Sequence, residues 1–130
     1  MAAPKEILWQ MDPHTQGKHL VLRSYLRAWL PILGSWSKRI LFIDGFAGPG
    51  EYAGGEEGSP LIALRAFADH SAKDVITGEV GFIFIEDRPD RAKHLEGLID
   101  IWQGKLPGQC WTRVINGKFD DTLAGLLDDL

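Results

Sequence analysis

The sequence predicts an α/β fold, a parallel sheet covered by helices on both faces, and two observations carry that reading. Short, almost wholly apolar runs at 39–44 ("RILFID") and 80–86 ("VGFIFIE") have the composition of strands buried on both faces. Stretches with apolar residues at helical spacing precede, separate and follow them. Helix and strand therefore alternate along the chain, the order that builds parallel sheets. With a third, less apolar run at 111–116 ("WTRVIN"), the expected strand order is 3-2-1.

The first helix has a clear start signal. Asp12 can cap the free amides and Pro13 suits the first helical position. Leu22, Tyr25, Leu26, Trp29, Leu30 and Leu33 share one face, Pro31 is expected to kink or end the helix, and Gly34 to finish it. Trp9 and Trp36 read as packing residues at its two ends. Residues 58–70 form the next helix, with Ser59 as cap and Pro60 in the first turn. Residues 88–104 form a third, with Asp87 as its cap and Ala92, Leu95, Ile99 and Trp102 on one face. Trp102 and Trp111 read as core, and a last helix begins at 120. Residues 1–38 are thus an N-terminal helical segment and 39–130 the sheet domain.

The chain has 130 residues, enough for one domain with its own core. Its 45% apolar and 25% charged content are those of a soluble globular protein. No apolar run approaches the ~20 residues of a membrane span, and "MAAPKEILWQ" lacks the apolar centre of a signal peptide. A cytoplasmic protein with no membrane partner is expected. The single cysteine, Cys110, excludes an internal disulfide or a cysteine-based zinc cluster and has no basic neighbour to make it reactive. His14, His19, His70 and His94 show no ligand spacing, so no metal site is expected.

The net charge of −4 conceals an asymmetry. Residues 1–40 carry six Lys or Arg against two acids, whereas 41–130 carry eight against sixteen. An anionic partner would approach the N-terminal segment, unless the basic residues are only the solvent face of an amphipathic helix.

The stretch "ILFIDGFAGPGEY" (40–52) runs a strand into Asp44 and then turns through three glycines. In an open parallel sheet the ligand crevice lies beyond the carboxyl ends of the strands. Gly45, Gly48 and Gly50 would let the backbone turn with positive φ and approach a ligand closely. The spacing of Asp44, Phe46, Gly48 and Gly50 matches neither G-x-G-x-x-G nor the Walker pattern, and no lysine follows. The loop carries Glu51, Glu56 and Glu57, which would repel a pyrophosphate and suit a cationic centre. Glu86 ends the second strand, where a carboxylate can accept both hydroxyls of a ribose. A ligand with a ribose, a cationic centre and no phosphate is S-adenosylmethionine. Asp44 and Glu86 stand 42 positions apart, against the ~20 of a compact dinucleotide unit, the excess lying in surface loops.

"PHTQGKHLVLRSYLRAWLPIL", "FIDGFAGPGEYAGGEEGSPLIAL" and "FIFIEDRPDR" together closely resemble the three-Cys-motif partner proteins, a bacterial family named for the protein encoded beside it. The resemblance spans nearly the whole chain. It implies a doubly wound, Rossmann-like sheet of the methyltransferase type, with residues 39–130 as the N-terminal half of that domain, and a nearby three-Cys-motif protein as partner. A more distant likeness is to the adenine N6-methyltransferases of large-subunit ribosomal RNA. It implies that Lys18, Asp44, Gly48, Gly50 and Glu86 line the cofactor pocket, with Lys18 at the methionyl carboxylate. Related pockets also imply Phe119 and Asp120 at the adenine ring and its amino group. Those enzymes hold the target amine with an Asp-Pro-Pro-Tyr-like motif, which does not occur in these 130 residues, so no catalytic residue is assigned.

The expected function is that of an S-adenosylmethionine-binding, methyltransferase-like protein acting on a nucleic-acid base. A non-catalytic cofactor-binding subunit of the neighbouring protein, or a nucleotide-binding module, are the alternatives. Glu86→Gln is expected to weaken cofactor binding and leave the fold unaltered. In the 3-2-1 order the strand at 39–44 keeps a free apolar edge, so these 130 residues are expected to self-associate or to fold loosely.

Overall fold

The computed structural model describes residues 6–36, 38–68, 76 and 78–129. Four helices alternate with three strands: α1 (Pro13–Trp36), β1 (Arg39–Asp44), α2 (Ser59–Ala68), β2 (Glu79–Glu86), α3 (Pro89–Gln103), β3 (Cys110–Asn116) and α4 (Phe119–Asp129). The strands form one parallel sheet in the order β1-β2-β3, with Phe42 beside Phe82 and Phe82 beside Thr112. The alternation of apolar strands with helices is thereby borne out as an α/β parallel sheet.

Strand periodicity divides the core between the two faces. Ile40, Val80, Phe82 and Phe84 join Leu26 and Leu30 of α1, Leu64 and Phe67 of α2, and Leu95, Ile99 and Trp102 of α3. On the opposite face Ile83 and Ile85 meet Leu126 of α4, with Leu41, Ile43, Trp111 and Phe119 packed around them. Helices cover both faces, three on one side and one on the other. Trp102 is buried, whereas Trp111 is half-buried and lies over Gly81, where an added Cβ would come within 2.3 Å of the indole.

Asp12 caps α1 as expected: the Thr15 amide donates to Asp12 Oδ1 at 2.7 Å. Pro31 does not end the helix, which continues through it and through Gly34 to Trp36. Leu30 and Leu33 pack on the core beside the proline and support the turn weakened by its missing N–H. The apolar face of α1 is also wider than one core can bury. Leu26 and Leu30 are buried, but Tyr25 and Trp29 face outward. The side chain of Trp36 and residues 69–70 lie outside the described residues.

Two expected caps are replaced. Ser59 is the first residue of α2 and its hydroxyl turns to Asp44, while the Gly58 carbonyl accepts the first helical bond, from the Ile62 amide at 3.1 Å. At α3 the cap position is Arg88, and the side chain that takes its amide belongs to Glu86, not Asp87. In both places a carboxylate at a strand end has bound the group that local sequence would assign to a neighbour.

Candidate functional site

The two strand-end carboxylates organise everything beyond the sheet. Asp44 Oδ1 accepts the Phe46 amide at 3.2 Å, an Asx turn that starts the glycine loop. Asp44 Oδ2 accepts the Ser59 hydroxyl and ties the loop's two ends together. Glu86 is only 7% exposed. Its Oε1 accepts the Gly48 amide and its Oε2 the Arg88 amide, both at 3.1 Å. Two backbone donors from separate segments thus hold one buried side chain in place. The Ala47 amide, donating to the Ile85 carbonyl at 3.0 Å, fastens the loop over the end of β2.

The glycines serve different needs. Gly48 and Gly50 have φ of 68° and 93°, the left-handed region that side chains disfavour. Gly45 does not have positive φ, contrary to expectation. It is small because the Phe119 ring lies against it, 2.3 Å from where a Cβ would stand.

Two adjoining clefts open here. One, of about 340 Å³, is lined by Gly48, Gly50, Tyr52, Ser59 and His19. The other, of about 210 Å³, is lined by Gly45, Gly117, Lys118, Phe119 and Asp120. Phe46, Glu86 and Asp87 border both, so Glu86 stands at their junction. Phe46 is 81% exposed, its ring centroid 5.4 Å from that of Phe119. The structure thus brings Gly45, Phe46, Gly48, Gly50, Glu86, Phe119 and Asp120 together around one two-part crevice, with Asp44 behind it. Lys18 is exposed and lines neither cleft, and its neighbour His19 stands there instead.

The acidic loop is less available to a cation than its composition suggests. Arg65 holds Glu57, its Nη2 donating at 2.6 Å to Oε2, and His94 Nε2 lies 2.8 Å from Glu51 Oε1. Aromatic and basic groups close the larger cleft. The guanidinium carbon of Arg91 sits 4.4 Å above the Trp9 ring, which also meets Tyr52 edge-on at 5.8 Å. The Ala53 amide donates to the Trp9 carbonyl at 2.8 Å, so the segment before α1 forms part of the wall. Trp9, His19, Tyr52, Ser59 and Arg91 were not singled out as site residues from sequence. Only His19, beside the suspected Lys18, carried a signal.

Burial pushes the His19 imidazole below its ordinary value, the Asp44 charge opposing and the Arg23 charge reinforcing the shift. Desolvation likewise raises the Tyr52 phenol, with nearby carboxylates adding to it. Burial pushes the Cys110 thiol up to about 12, which disfavours its thiolate.

Comparison with protein-family models, with curated proteins and with solved structures found no match to this chain.

Proposed function

We propose that this chain binds S-adenosylmethionine across the two clefts and serves a methyltransferase-like function directed at a nucleic-acid base. The observation that carries this reading is the position of Glu86 at the junction of the clefts. Each of its oxygens takes one backbone amide, which leaves a further lone pair on each for a ribose hydroxyl. On one side, the Phe119 ring and the Asp120 carboxylate suit an adenine and its amino group. On the other, Ser59, Tyr52 and His19 suit the amino-acid end. The close glycine backbone at Gly48 admits a ligand that a side chain would exclude. The resemblance to the three-Cys-motif partner proteins supports the same reading, including its Rossmann-like, methyltransferase-type fold.

When bound, the cofactor supplies an electrophilic methyl group. The chain's own residues would orient it: Glu86 would hold the ribose, Phe46 and Phe119, already in contact with each other, would offer the base one aromatic surface, and the wall of Trp9 and Tyr52 would limit water at the far end.

A second reading, a cofactor-binding subunit of a neighbouring three-Cys-motif protein, is favoured by the outward apolar side chains of α1, Val21, Tyr25 and Trp29. Such a stripe suits a protein partner. Calorimetric titration with S-adenosylmethionine and, separately, with a nicotinamide dinucleotide tests the cofactor. Binding of the first alone supports either reading, methyl transfer to nucleic acid then selecting the enzyme. Binding of the dinucleotide alone would turn the assignment to a nucleotide-binding module.

A further inference from the structure

A third cleft, of about 290 Å³, lies beneath the first turns of α1, on the other side of His19 from the larger cofactor cleft. His19 lines both, and is the one residue they share. Its Nδ1 is buried with no hydrogen-bond partner among the described residues. An imidazole nitrogen left so is costly.

The other walls differ in chemistry from the cofactor clefts. Leu20 of α1 and Ile62 of α2 supply apolar surface, Gln16 an amide and Arg23 a guanidinium, with Glu56 across from them. An amide matches the paired donor and acceptor edge of a base, a carboxylate matches an exocyclic amino group, and flat apolar surface matches the face of a ring. Arg23 enters none of the ion pairs among the described residues, and guanidinium is well suited to phosphate.

We propose that this cleft binds a nucleotide unit, the base against Leu20 and Ile62 with its edge toward Gln16, and the phosphate at Arg23. This binding does not depend on the methyltransferase reading. His19 stands in the walls of both clefts. A free nucleotide and one nucleotide of a single strand present the same chemistry.

The test is calorimetry on the whole chain with adenosine monophosphate and with a short single-stranded oligoadenylate, each with and without saturating S-adenosylhomocysteine. We expect at least one probe to bind alongside S-adenosylhomocysteine. Gln16→Ala and Arg23→Ala should each weaken it roughly tenfold while S-adenosylhomocysteine binding stays within about twofold. Both positions are exposed on a helix and accept alanine, so the variants should stay folded. Binding of the strand identifies nucleic acid, and binding of the mononucleotide alone a free nucleotide. Failure of both probes, binding insensitive to both substitutions, or displacement by S-adenosylhomocysteine would overturn the proposal. If S-adenosylhomocysteine does not bind but a probe still binds through Gln16 and Arg23, the cofactor reading falls and this cleft stands.

Discussion

Glu86 and Gly48, 38 positions apart, are joined by a 3.1 Å hydrogen bond from the Gly48 amide to Glu86 Oε1. The carboxylate that faces the clefts is therefore also the clamp that holds the glycine loop against β2. Its other oxygen holds the start of α3. Loop order and the proposed ribose contact share one side chain.

The first prediction revises what the residue pattern alone suggests for Glu86→Gln. The amide group keeps one acceptor and points its NH2 at a backbone amide that needs an acceptor. Stability should fall by about 1–3 kcal/mol, in addition to any loss of cofactor affinity. Urea denaturation measures it. A midpoint equal to that of the unsubstituted chain would show that the clamp contributes nothing.

Gly45→Ala should act through Phe119. The new Cβ would stand 2.3 Å from Phe119 Cδ2, so the ring must leave its place between the loop and α4. Overpacking of this kind costs about 1–3 kcal/mol. In a Phe119→Ala background the same substitution should cost far less, and a double-mutant cycle by urea denaturation reads the difference. Equal costs in both backgrounds would place the strain elsewhere.

His19 should make stability depend on acid. Its ordinary value is 6.5, and burial lowers the folded-state value. Below 6.5 the unfolded chain takes up a proton that the folded chain refuses, so stability declines as pH falls from there to the folded value. Above 6.5 both states are neutral and the effect vanishes. His19→Gln should reduce the loss of stability between pH 7.5 and pH 5, compared by urea denaturation. An unchanged difference would mean that the ring is already solvated.

The sheet and the glycine loop were legible because their signals are local. A run such as "VGFIFIE" can be buried on both faces only as an inner strand, and carboxylates at the ends of β1 and β2 mark the crevice from sequence alone. What local reading missed came from elements distant in the chain. Ser59 reads as a cap until Asp44 is seen to take its hydroxyl. Gly45 reads as a turn residue until Phe119 is found against it. Trp9 and Arg91, 82 positions apart, stack across the cleft, a pairing that no spacing rule encodes. Pro31 shows the same limit in reverse, since tertiary packing of Leu30 and Leu33 overrides a local stop signal.

The last prediction concerns the sheet's open side. Among the described residues β1 pairs only with β2, and beside its other edge runs an apolar groove of about 220 Å³ lined by Leu22, Leu26, Ile40 and Phe42. Tyr25 and Trp29 of α1 line it too, their rings 5.8 Å apart, and Tyr25 is 56% and nearby Val21 69% exposed. Free backbone donors along an apolar strand, flanked by exposed aromatic surface, favour pairing with another copy. The 130-residue chain should sediment as a concentration-dependent dimer or larger species. Val21→Lys together with Trp29→Lys should shift it toward monomer, because both side chains face outward and lysine remains solvated there. Substitutions at such exposed sites change folding stability by only about 0.5 kcal/mol each, so the urea midpoint should stay nearly constant while the sedimentation coefficient falls. A compact monomer at high micromolar concentration, with a cooperative melt, would show instead that this face is tolerated bare.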